Sequence, residues 1–412
     1  MKVTIIGGGI IGLTSAYYLL KRGAHVEIIE RGKGEEGCSF GNAGYISPSH
    51  FIPLASPGII EEGIKYMMDS RSPFYIKPRF DAGLFKWGLQ FWKSSSHQKS
   101  KENSLALHQL LQLSRQKMIA MAQEFDNPFH LEEKGCLMMY RKEQTAHHEH
   151  EMAEQANLLG IKTQSFNQKE LKEIEPLINK NVLGAVLYEE DCHIDPSKYM
   201  HFLKQYLVNQ GVSIHYDEEV QAIKAQNSRV NHIRTNKNNY AIDHLLIATG
   251  AWLPLLTKDL GESILLQAGK GYSTTVERGA QNIQRPLILV DDRIALTPLG
   301  TRMRVGGTME IAGINHQVNM KRVEGIINAV NNNLDLSLSM PSGREVWYGL
   351  RPCSPDGLPY IGRARQHDNL YFAGGHAMLG VSLAGATGYI LSDIITQSGT
   401  EIDVSPFRMD RF

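Results

Sequence analysis

The chain opens with the stretch Lys2-Val3-Thr4-Ile5-Ile6-Gly7-Gly8-Gly9-Ile10-Ile11-Gly12, and a second apolar stretch ends in Glu30. This order of strand, glycine-rich turn, helix, strand and terminal acid is the dinucleotide-binding fingerprint in its full context. Gly7 allows the tight turn, Gly9 lets the backbone approach a pyrophosphate, and Gly12 lets the helix pack closely. The helix N-terminus offers free N–H groups to phosphates. The sequence therefore predicts that the protein binds an adenine dinucleotide.

The acid at the end of the second strand narrows the choice of dinucleotide. A carboxylate at Glu30 accepts both ribose hydroxyls and repels a 2′-phosphate, which argues against NADP. A glycine-rich turn in a plain α/β domain, or a signal peptide, would share some of these features. The glycines interrupt the apolar run, and no small-residue cleavage site follows it, so a signal peptide is disfavoured.

Composition excludes several classes of protein. The chain has 412 residues, enough for two domains, and its 43 basic and 43 acidic residues balance, which argues against a nucleic-acid partner. No uncharged apolar run reaches the length of about 18 residues that a membrane-spanning helix needs. Its four cysteines, Cys38, Cys136, Cys192 and Cys353, lack metal-type spacing, so we expect no metal and a reducing, cytoplasmic location.

One segment could contact a membrane surface. Residues Leu84 to Lys93 mix Trp, Phe and Leu with Lys, as helices at a lipid interface do. An amphipathic helix packed on its own domain has the same pattern, and we favour that interpretation. Peripheral contact with the inner face of the cell membrane stays open.

Hydrophobic spacing and capping residues predict the remaining elements. Helices are predicted over 101–126, 143–159 and 389–395, and over 196–208 behind a cap at Asp195. Strands are predicted over 131–141, 183–188, 212–216 and 245–248. From Gly271 onwards, segments 272–276, 287–290, 294–298 and 302–306 predict an antiparallel sheet with a hairpin turn at Leu299-Gly300. A nucleotide-binding α/β domain interrupted by a second, mixed domain fits this order.

A second glycine-rich segment, Ala373 to Gly388, precedes the last predicted helix. The N-terminus of a helix there would stabilise negative charge on a reduced flavin ring. Close packing of a helix through small residues explains Gly385 and Gly388, but it does not explain Gly374-Gly375-His376. The turn Thr249-Gly250-Ala251-Trp252 after a predicted strand is a weaker indication of the same kind.

Four blocks of this sequence carry a resemblance to a known family. They are residues 7–30, 38–48, 349–362 and 373–380, and the third reads Gly349-Leu-Arg351-Pro352 at its start. In this order, over essentially the whole chain, they resemble the D-amino-acid-oxidase superfamily of FAD-dependent oxidoreductases, most of all its bacterial D-amino acid dehydrogenase branch. The resemblance implies a Rossmann-type, glutathione-reductase-like FAD-binding domain and a mixed, mainly antiparallel β-sheet domain for the substrate. We assign residues 1–82, 188–262 and 345–412 to the first, and 83–187 and 263–344 to the second.

The resemblance implies that FAD is the cofactor and is held without a covalent bond. Some oxidase relatives attach flavin through a cysteine that precedes a Pro-Asp pair, but Cys353 lies too close to Pro355-Asp356 to be that residue. Cys353 is therefore expected to be a buried or cavity-wall thiol. The residues expected to contact FAD are Gly7, Gly9, Ile10, Ile11, Gly12, Glu30, Arg31, Ser39, Asn42, Ala43, Gly44, Val220, Thr249, Gly250, Trp252, Gly349, Arg351, Gly375, His376, Met378, Leu379, Gly380, Val381 and Ser382.

Five residues are candidates for contact with the substrate. A guanidinium holds a carboxylate through two charge-assisted hydrogen bonds, and the arginine of the Gly-x-Arg-Pro block does this in the superfamily, which implies that role for Arg351. The resemblance also puts the phenol of Tyr272 near the substrate carboxylate, although a core tyrosine would fit the same strand. His50 and His376 lie beside the flavin loops in sequence, and Thr308 follows Gly306-Gly307.

The activity that the resemblance implies is oxidative deamination of D-amino acids. A hydride leaves Cα for flavin N5, the imine hydrolyses to a 2-oxo acid and ammonia, and electrons pass to a quinone or another carrier. A dehydrogenase of D-proline or cis-4-hydroxy-D-proline, or an oxidase of the glycine or sarcosine type that uses O₂, stays open. From other classes, we weigh an NAD-dependent dehydrogenase, a non-catalytic flavoprotein and a tRNA-modifying relative, the last disfavoured by the neutral net charge.

Overall fold

The computed structural model describes residues 1–35, 37–61, 63, 72–279 and 281–412, and every element below lies within them. The α-helices with described bounds are α1 (Ile10–Lys21), α2 (Ala82–Ser94), α3 (His97–Glu124), α4 (Glu143–Leu158), α5 (Gln168–Ile174), α6 (Pro196–Asn209), α7 (Leu253–Thr257), α8 (Met320–Asn333) and α9 (Ala384–Thr396).

The strands fall into two large and two small sheets. They are β1 (Lys2–Ile6), β2 (His25–Ile29), β3 (Tyr45–Ile46), β4 (Phe74–Ile76), β5 (Cys136–Tyr140), β6 (Thr163–Asn167), β7 (Gly184–Tyr188), β8 (Cys192–His193), β9 (Ser213–His215), β10 (Val220–Gln226), β11 (Arg229–Thr235), β12 (Asn239–Ala241), β13 (His244–Ile247), β14 (Gln267–Glu277), β15 (Leu287–Leu289), β16 (Ile294–Leu299), β17 (Arg302–Ile311), β18 (Trp347–Cys353), β19 (Tyr360–Arg363) and β20 (Leu370–Gly374).

The first large sheet carries the fingerprint. Its order is β19-β20-β13-β1-β2-β9, and each described pair is parallel except β19 with β20. Four of the five residues in both β1 and β2 are buried, which explains their nearly continuous runs of apolar residues. A parallel connection needs a crossover, and α1 supplies it between β1 and β2. Helix α1 shares one apolar core with α3 and α9.

The second large sheet is mixed and mainly antiparallel, as predicted. Its order is β18-β14-β17-β16-β15-β5-β7-β6, with β4 added along β17. Only the pairs β15–β5 and β17–β4 are parallel among the described pairs of this sheet. Helix α8 covers one face, where Val323, Ile326 and Val330 pack in a core with strand residues. The α/β fold class predicted from the sequence is therefore confirmed.

The predicted elements are present, with some ends shifted. Helix α3 begins at His97 rather than at residue 101 because the Ser96 hydroxyl accepts a hydrogen bond from the Lys99 N–H at 3.4 Å. Helix α9 begins at Ala384, five residues earlier than predicted, and strand β17 continues to Ile311. The hairpin turn is Gly300-Thr301 rather than Leu299-Gly300, because Leu299 still pairs with Arg302.

Three elements lie on the other side of the predicted domain boundaries. Strands β4 and β18 fall in segments that we assigned to FAD binding, yet both pair in the mixed sheet. Helix α3 falls in the assigned substrate segment, yet its Leu107 and Leu110 belong to the core that contains α1. Strand pairing and core packing thus cross the boundaries that we drew, because sequence segments do not reveal long-range contacts; the two domains and their bounds stay a prediction.

Helix α2 packs on the protein through a narrow stripe of its surface. Only Trp87 and Ser94 of this helix are buried, whereas Phe85 is 77% and Trp92 64% exposed. Trp87 stacks on Phe91 with ring centroids 4.9 Å apart and donates its indole N–H to the Cys353 carbonyl at 2.9 Å. Among the described residues, no helix combines the length and apolar character needed to cross a bilayer.

Candidate functional site

A cavity of about 1530 Å³ is lined by residues of both large sheets. Sites for single small ligands usually enclose about 300 to 1,000 Å³, so this cavity has room for a dinucleotide and a second small molecule. The fingerprint lies at one end, and strands of the mixed sheet form the other. The predicted cofactor contacts that line it are Gly7, Gly9, Ile10, Ile11, Glu30, Arg31, Ser39, Asn42, Ala43, Val220, Thr249, Gly250, Trp252, Gly349, Arg351, His376, Met378, Leu379, Gly380, Val381 and Ser382.

Three predicted cofactor contacts, Gly12, Gly44 and Gly375, do not line the cavity. A Cβ at Gly12 would overlap the Gly7 carbonyl oxygen, so this glycine sets how closely α1 approaches the turn. Gly44 and Gly375 adopt φ of +83° and +80°, where side chains are disfavoured, and both face protein atoms. All three glycines allow close backbone packing in the structure, and their contact with FAD stays a prediction.

The fingerprint turn is organised around Glu30. Its carboxylate accepts hydrogen bonds from the N–H of Gly8 at 2.7 Å and from the N–H of Gly32 at 2.8 Å. At Gly9, by contrast, the nearest atom to an added Cβ would be the Ser39 hydroxyl at 3.7 Å. The cavity therefore reaches the backbone at Gly9, as a pyrophosphate site requires.

The Ser39–Ser47 loop is tied to the mixed sheet through its backbone carbonyls. Arg304 donates to the carbonyls of Phe40 and Asn42 at 2.9 and 2.8 Å. The hydroxyls of Ser273 and Thr297 donate to the carbonyls that alternate with these, those of Gly41 and Ala43. Sequence reasoning missed Arg304, because the partners are backbone atoms of a distant segment. These contacts make one side of the cavity rigid.

Arg351 lies in β18 with its guanidinium in the cavity wall. Its Nη1 donates to the backbone carbonyl of Thr308, and no carboxylate among the described residues pairs with it. Burial lowers the pKa of Arg351, but a guanidinium stays protonated in proteins. A half-buried cation with a single neutral acceptor has capacity for a bound anion.

Thr308 combines strained backbone with an unsatisfied hydroxyl. Its φ is +66°, a region that β-branched residues rarely adopt. Its buried Oγ1 has no hydrogen-bond partner within the described structure, although the residue lines the cavity. Such strain persists where surrounding structure imposes it, and it clusters at ligand sites. Thr249, near the fingerprint, has an unpartnered buried hydroxyl as well.

Tyr272 lines the cavity, but its hydroxyl is used inside the protein. The phenol donates to Glu310 at 3.2 Å and accepts from the Asn319 N–H at 3.2 Å. Burial, followed by the Glu310 charge, raises the pKa of Tyr272. Because the hydroxyl already has two protein partners, a substrate carboxylate would compete with them, and the expected contact stays a prediction.

His50 is oriented by a chain of hydrogen bonds. Asp191 accepts the Ser49 hydroxyl at 2.6 Å and the Ser49 N–H at 3.1 Å. A hydroxyl has one proton, so Ser49 can only accept from His50 Nδ1, which lies 3.0 Å away. This leaves the Nε2 of a neutral His50 as an acceptor in the cavity wall. Burial lowers the pKa of His50 to about 4, and raises that of Asp191 to about 7.

His376 also lines the cavity as a neutral ring. Its Nε2 lies 3.0 Å from the Thr387 hydroxyl in α9, and burial lowers its pKa to about 3. The structure thus brings His50, His376, Thr308, Tyr272 and Arg351 to one cavity. The residues from Ala377 to Ser382 line it, and α9 begins at Ala384 directly after them, so the expected helix–flavin contact stays a prediction.

The thiol of Cys353 is buried, as expected. It lies 3.8 Å from the Met309 sulfur, and burial raises its pKa to about 12. Cys38, which we had not assigned, lines the cavity and donates to the Leu350 carbonyl at 2.9 Å. Burial raises the pKa of Cys38 to about 11, so both thiols are protonated at neutral pH.

Several cavity residues escaped prediction for an identifiable reason. Trp347 and Tyr348 stand directly before the Gly349-Leu-Arg351 block, and their proximity to it was a usable signal. Glu149 gave no signal, because on the amphipathic helix α4 it resembles the exposed Glu151 and Glu154. Its position became evident only from the packing of α4 against β5 and β7.

One sheet carries the dinucleotide-binding fingerprint, and a second, mixed sheet lies across the cavity from it. This arrangement defines the class of proteins that bind a dinucleotide and a second ligand between two sheets. The family model described as DAO, FAD dependent oxidoreductase, matches residues 2–394. The chain is 30% identical to a D-amino acid dehydrogenase of Allorhizobium ampelinum, covering 100% of this chain and 99% of that protein. A D-amino acid dehydrogenase of Helicobacter pylori is 31% identical, with 97% and 96% covered.

Comparison with solved structures gives the same fold. Glycine oxidase from Geobacillus kaustophilus superposes with a TM-score of 0.78 at 22% identity, covering 100% of this chain and 98% of that chain. The chain therefore belongs to the DAO family of FAD-dependent oxidoreductases. FAD is the dinucleotide for which the fingerprint and the cavity are built.

Proposed function

We propose that this protein is an FAD-dependent dehydrogenase that deaminates D-amino acids oxidatively. The observation that carries the proposal is the Arg351 guanidinium, which faces the cavity with one backbone carbonyl as its only described partner. An α-carboxylate would supply the missing charge through two hydrogen bonds. Full-length relatives named D-amino acid dehydrogenase support this choice of substrate.

The residues present fit FAD held without a covalent bond. Gly9 leaves space for a pyrophosphate, and the Glu30 carboxylate is oriented by two backbone N–H groups on the side where a ribose would bind. The rigid Ser39–Ser47 loop and residues 376–382 would border the flavin. Cys353 is buried against Met309 and outside the cavity lining, which supports non-covalent binding.

In the proposed reaction, the protein positions a neutral amino acid. Arg351 holds the carboxylate, and His50 Nε2 accepts an N–H of the amine, so that Cα is fixed against the Ser39–Ser47 loop. Bound FAD supplies the acceptor for the hydride that leaves Cα. Because His50 is neutral above pH about 4, it stabilises the amine as a hydrogen-bond acceptor without adding a positive charge. The resulting imine hydrolyses in water to a 2-oxo acid and ammonia.

The test is anaerobic reduction of the yellow holoenzyme by a substrate panel. The panel contains D- and L-amino acids, D-proline, cis-4-hydroxy-D-proline, glycine and sarcosine, and bleaching of the flavin is followed before and after air is admitted. Bleaching by acyclic D-amino acids with slow reoxidation in air is the expected result. Bleaching by the cyclic compounds alone would favour an imino acid dehydrogenase, and rapid reoxidation would favour an oxidase. A flavin that none of them bleaches would indicate a non-catalytic flavoprotein.

We further propose that electrons leave at a lipid surface, to a quinone. Helix α2 exposes Phe85, Leu89 and Trp92, together with two exposed lysines, Lys86 and Lys93. Trp87, Phe91 and Trp92 of the same helix line the cavity, so the exposed apolar surface is continuous with the cavity wall. Aromatic residues flanked by lysines are typical of helices that bind anionic lipid surfaces.

Vesicle sedimentation tests this part of the proposal. The holoenzyme is expected to bind vesicles that contain anionic lipid, and F85S/W92S to bind them at least about tenfold more weakly. L158S is the matched control, because Leu158 is 87% exposed on a different helix. Equal vesicle binding by F85S/W92S, or equal rates with a lipid-soluble quinone and a water-soluble dye in both proteins, would refute it.

A further inference from the structure

The end of the cavity that lies against helix α4 has no part in the reaction described above. Thr145 and Glu149 of α4 line it together with Met138 of β5, Ile288 of β15 and Asp291. Strands β15 and β5 lie side by side in the mixed sheet, several strands away from β18, which carries Arg351. The side chain of a long amino acid substrate would extend into this part of the cavity.

Glu149 is the unexplained group at this end. It is only 8% exposed, and its carboxylate makes no hydrogen bond and no ion pair with any described residue. A buried, unpaired carboxylate is costly in a folded protein, and burial followed by the Asp291 charge raises its pKa to about 7. A buried carboxylate without a protein partner indicates a position where a bound ligand supplies that partner.

The neighbouring charged groups do not neutralise Glu149. Asp291 accepts from the Arg141 N–H at 2.8 Å and from the Thr145 hydroxyl at 2.6 Å, and Lys142 lies 3.7 Å from it. Lys142 and Arg293 are the cations of this wall, and His148 lies beside them. Because Lys142 pairs with Asp291, it does not neutralise Glu149. The carboxylate of Glu149 is therefore an acceptor for a cation that binds in the cavity.

The separation of Glu149 from Arg351 suits a particular length of ligand. The Arg351 guanidinium reaches across β14 to Thr308 in β17. Glu149 lies on α4, which packs against β5, three strands away in the sheet order β17-β16-β15-β5. Three interstrand spacings amount to about 14 Å. Six single bonds separate the carboxylate carbon of lysine from its terminal nitrogen, roughly 7 to 8 Å when extended. A hydrogen bond of about 2.8 Å at each end brings the total to about 13 Å.

We propose that Glu149 binds the terminal cation of a long basic side chain, so that the preferred substrates are basic D-amino acids such as D-lysine. This inference rests on the proposed function, because it assumes that Arg351 binds the α-carboxylate. Glu149 then acts as a specificity residue at the far end of the cavity. An apolar substrate of the same length leaves the carboxylate unpaired and binds more weakly.

The first experiment measures anaerobic flavin reduction by D-lysine and by D-norleucine, whose side chain ends at the fourth carbon and lacks the terminal ammonium. The wild-type holoenzyme is expected to favour D-lysine in kcat/KM by at least about tenfold. E149Q, which keeps the shape of the side chain, is expected to abolish that preference. E151Q is the matched control on the exposed side of α4 and is expected to retain it.

The second experiment measures binding alone, so it does not depend on catalysis. 6-Aminohexanoate has the carboxylate-to-nitrogen length of lysine but no α-amine, and hexanoate lacks the cation. Perturbation of the flavin spectrum is expected to show at least about tenfold tighter binding of 6-aminohexanoate by the wild type and no difference in E149Q.

The outcomes separate this inference from the proposed function. Reduction by D-norleucine as efficient as by D-lysine, or a preference unchanged in E149Q, would overturn the role of Glu149 and leave the proposed function standing. A flavin that no D-amino acid reduces would refute the proposed function. In that case, equal binding of 6-aminohexanoate and hexanoate would overturn the cation site as well.

Discussion

The guanidinium of Arg351 donates a hydrogen bond to the backbone carbonyl of Thr308, a residue held at φ of +66°. The cause is a register shift between β14 and β17, where Thr308 and Met309 together face Gly271. A bulge of this kind redirects the local backbone. The strain at Thr308 and the orientation of Arg351 are therefore one feature, and Gly271 is required there because a Cβ would overlap the guanidinium.

Strain at Thr308 predicts that a glycine variant is more stable than an alanine variant, the reverse of the usual order in a strand. T308A removes the unpartnered hydroxyl and keeps a Cβ in the left-handed region, whereas T308G relieves the strain. T308G is expected to be more stable than T308A by about 1 kcal/mol in urea unfolding. At Thr275 in β14, which lies outside the left-handed region, alanine is expected to be the more stable. The same order at both positions would contradict the assignment of strain.

Replacement of Arg351 should affect substrates that carry a carboxylate. R351A is expected to raise KM for amino acids on the order of 100-fold, roughly 3 kcal/mol, and R351K about tenfold, because an ammonium lacks the paired donors. Steady-state kinetics and the FAD content of each variant are the measurements. R363K, at an exposed ion pair with Asp368, is the control. An unchanged kcat/KM in R351A would refute carboxylate binding by Arg351.

Two glycines of the fingerprint should respond differently to alanine. G9A adds a methyl group where the nearest protein atom lies 3.7 Å away, so the apoprotein should keep its thermal stability while its affinity for FAD falls by at least tenfold. G12A places a methyl group onto the Gly7 carbonyl and should destabilise the apoprotein by roughly 2 kcal/mol or more. Thermal unfolding and FAD titration distinguish the two. Similar apoprotein stability in both variants would count against this division of roles.

The hydrogen-bond chain from Asp191 to His50 predicts an effect of Ser49 on turnover. S49A removes the group that accepts from His50 Nδ1, so either ring nitrogen can carry the proton. We expect kcat/KM to fall about tenfold, with FAD content unchanged. S49T keeps the hydroxyl and should recover most of the activity. Equal activity in S49A and wild type would show that the tautomer of His50 does not matter.

Glu149 predicts a dependence of stability on pH. Its pKa is about 7 in the folded protein against 4.5 for an unperturbed glutamate, so between these values the folded state binds more protons than the unfolded chain. Its contribution to stability therefore falls as pH rises through this range. E149Q stays neutral and should exceed the wild type by up to about 3 kcal/mol at pH 8, with the difference vanishing near pH 4.5.

Urea unfolding of both proteins across this pH range is the measurement. E151Q should differ little from the wild type at any pH, because Glu151 is exposed. A difference between E149Q and wild type that stays constant with pH would contradict the ionisation of a buried Glu149.

The sequence by itself determined the cofactor-binding half of this protein. The conformation of a glycine turn between an apolar strand and a helix depends on residues close together in the chain. Gly7, Gly9 and Glu30 could therefore be predicted as cofactor contacts from spacing alone. The antiparallel strands after Gly271 followed from short-range alternation and turn residues. Arg351 was predicted as a substrate contact from the Gly349-Leu-Arg351-Pro352 block. Its hydrogen bond to the Thr308 carbonyl could not be predicted from the sequence.

The tertiary structure decided which other residues line the cavity. Arg304, Trp347 and Glu149 come from β17, β18 and α4, and only long-range pairing and packing bring these elements to one cavity. The same packing gave the Tyr272 hydroxyl Glu310 as a partner, while the residue still lines the cavity. Which side chains a cavity contains depends on contacts between residues far apart in the chain, and spacing along the chain does not record those contacts.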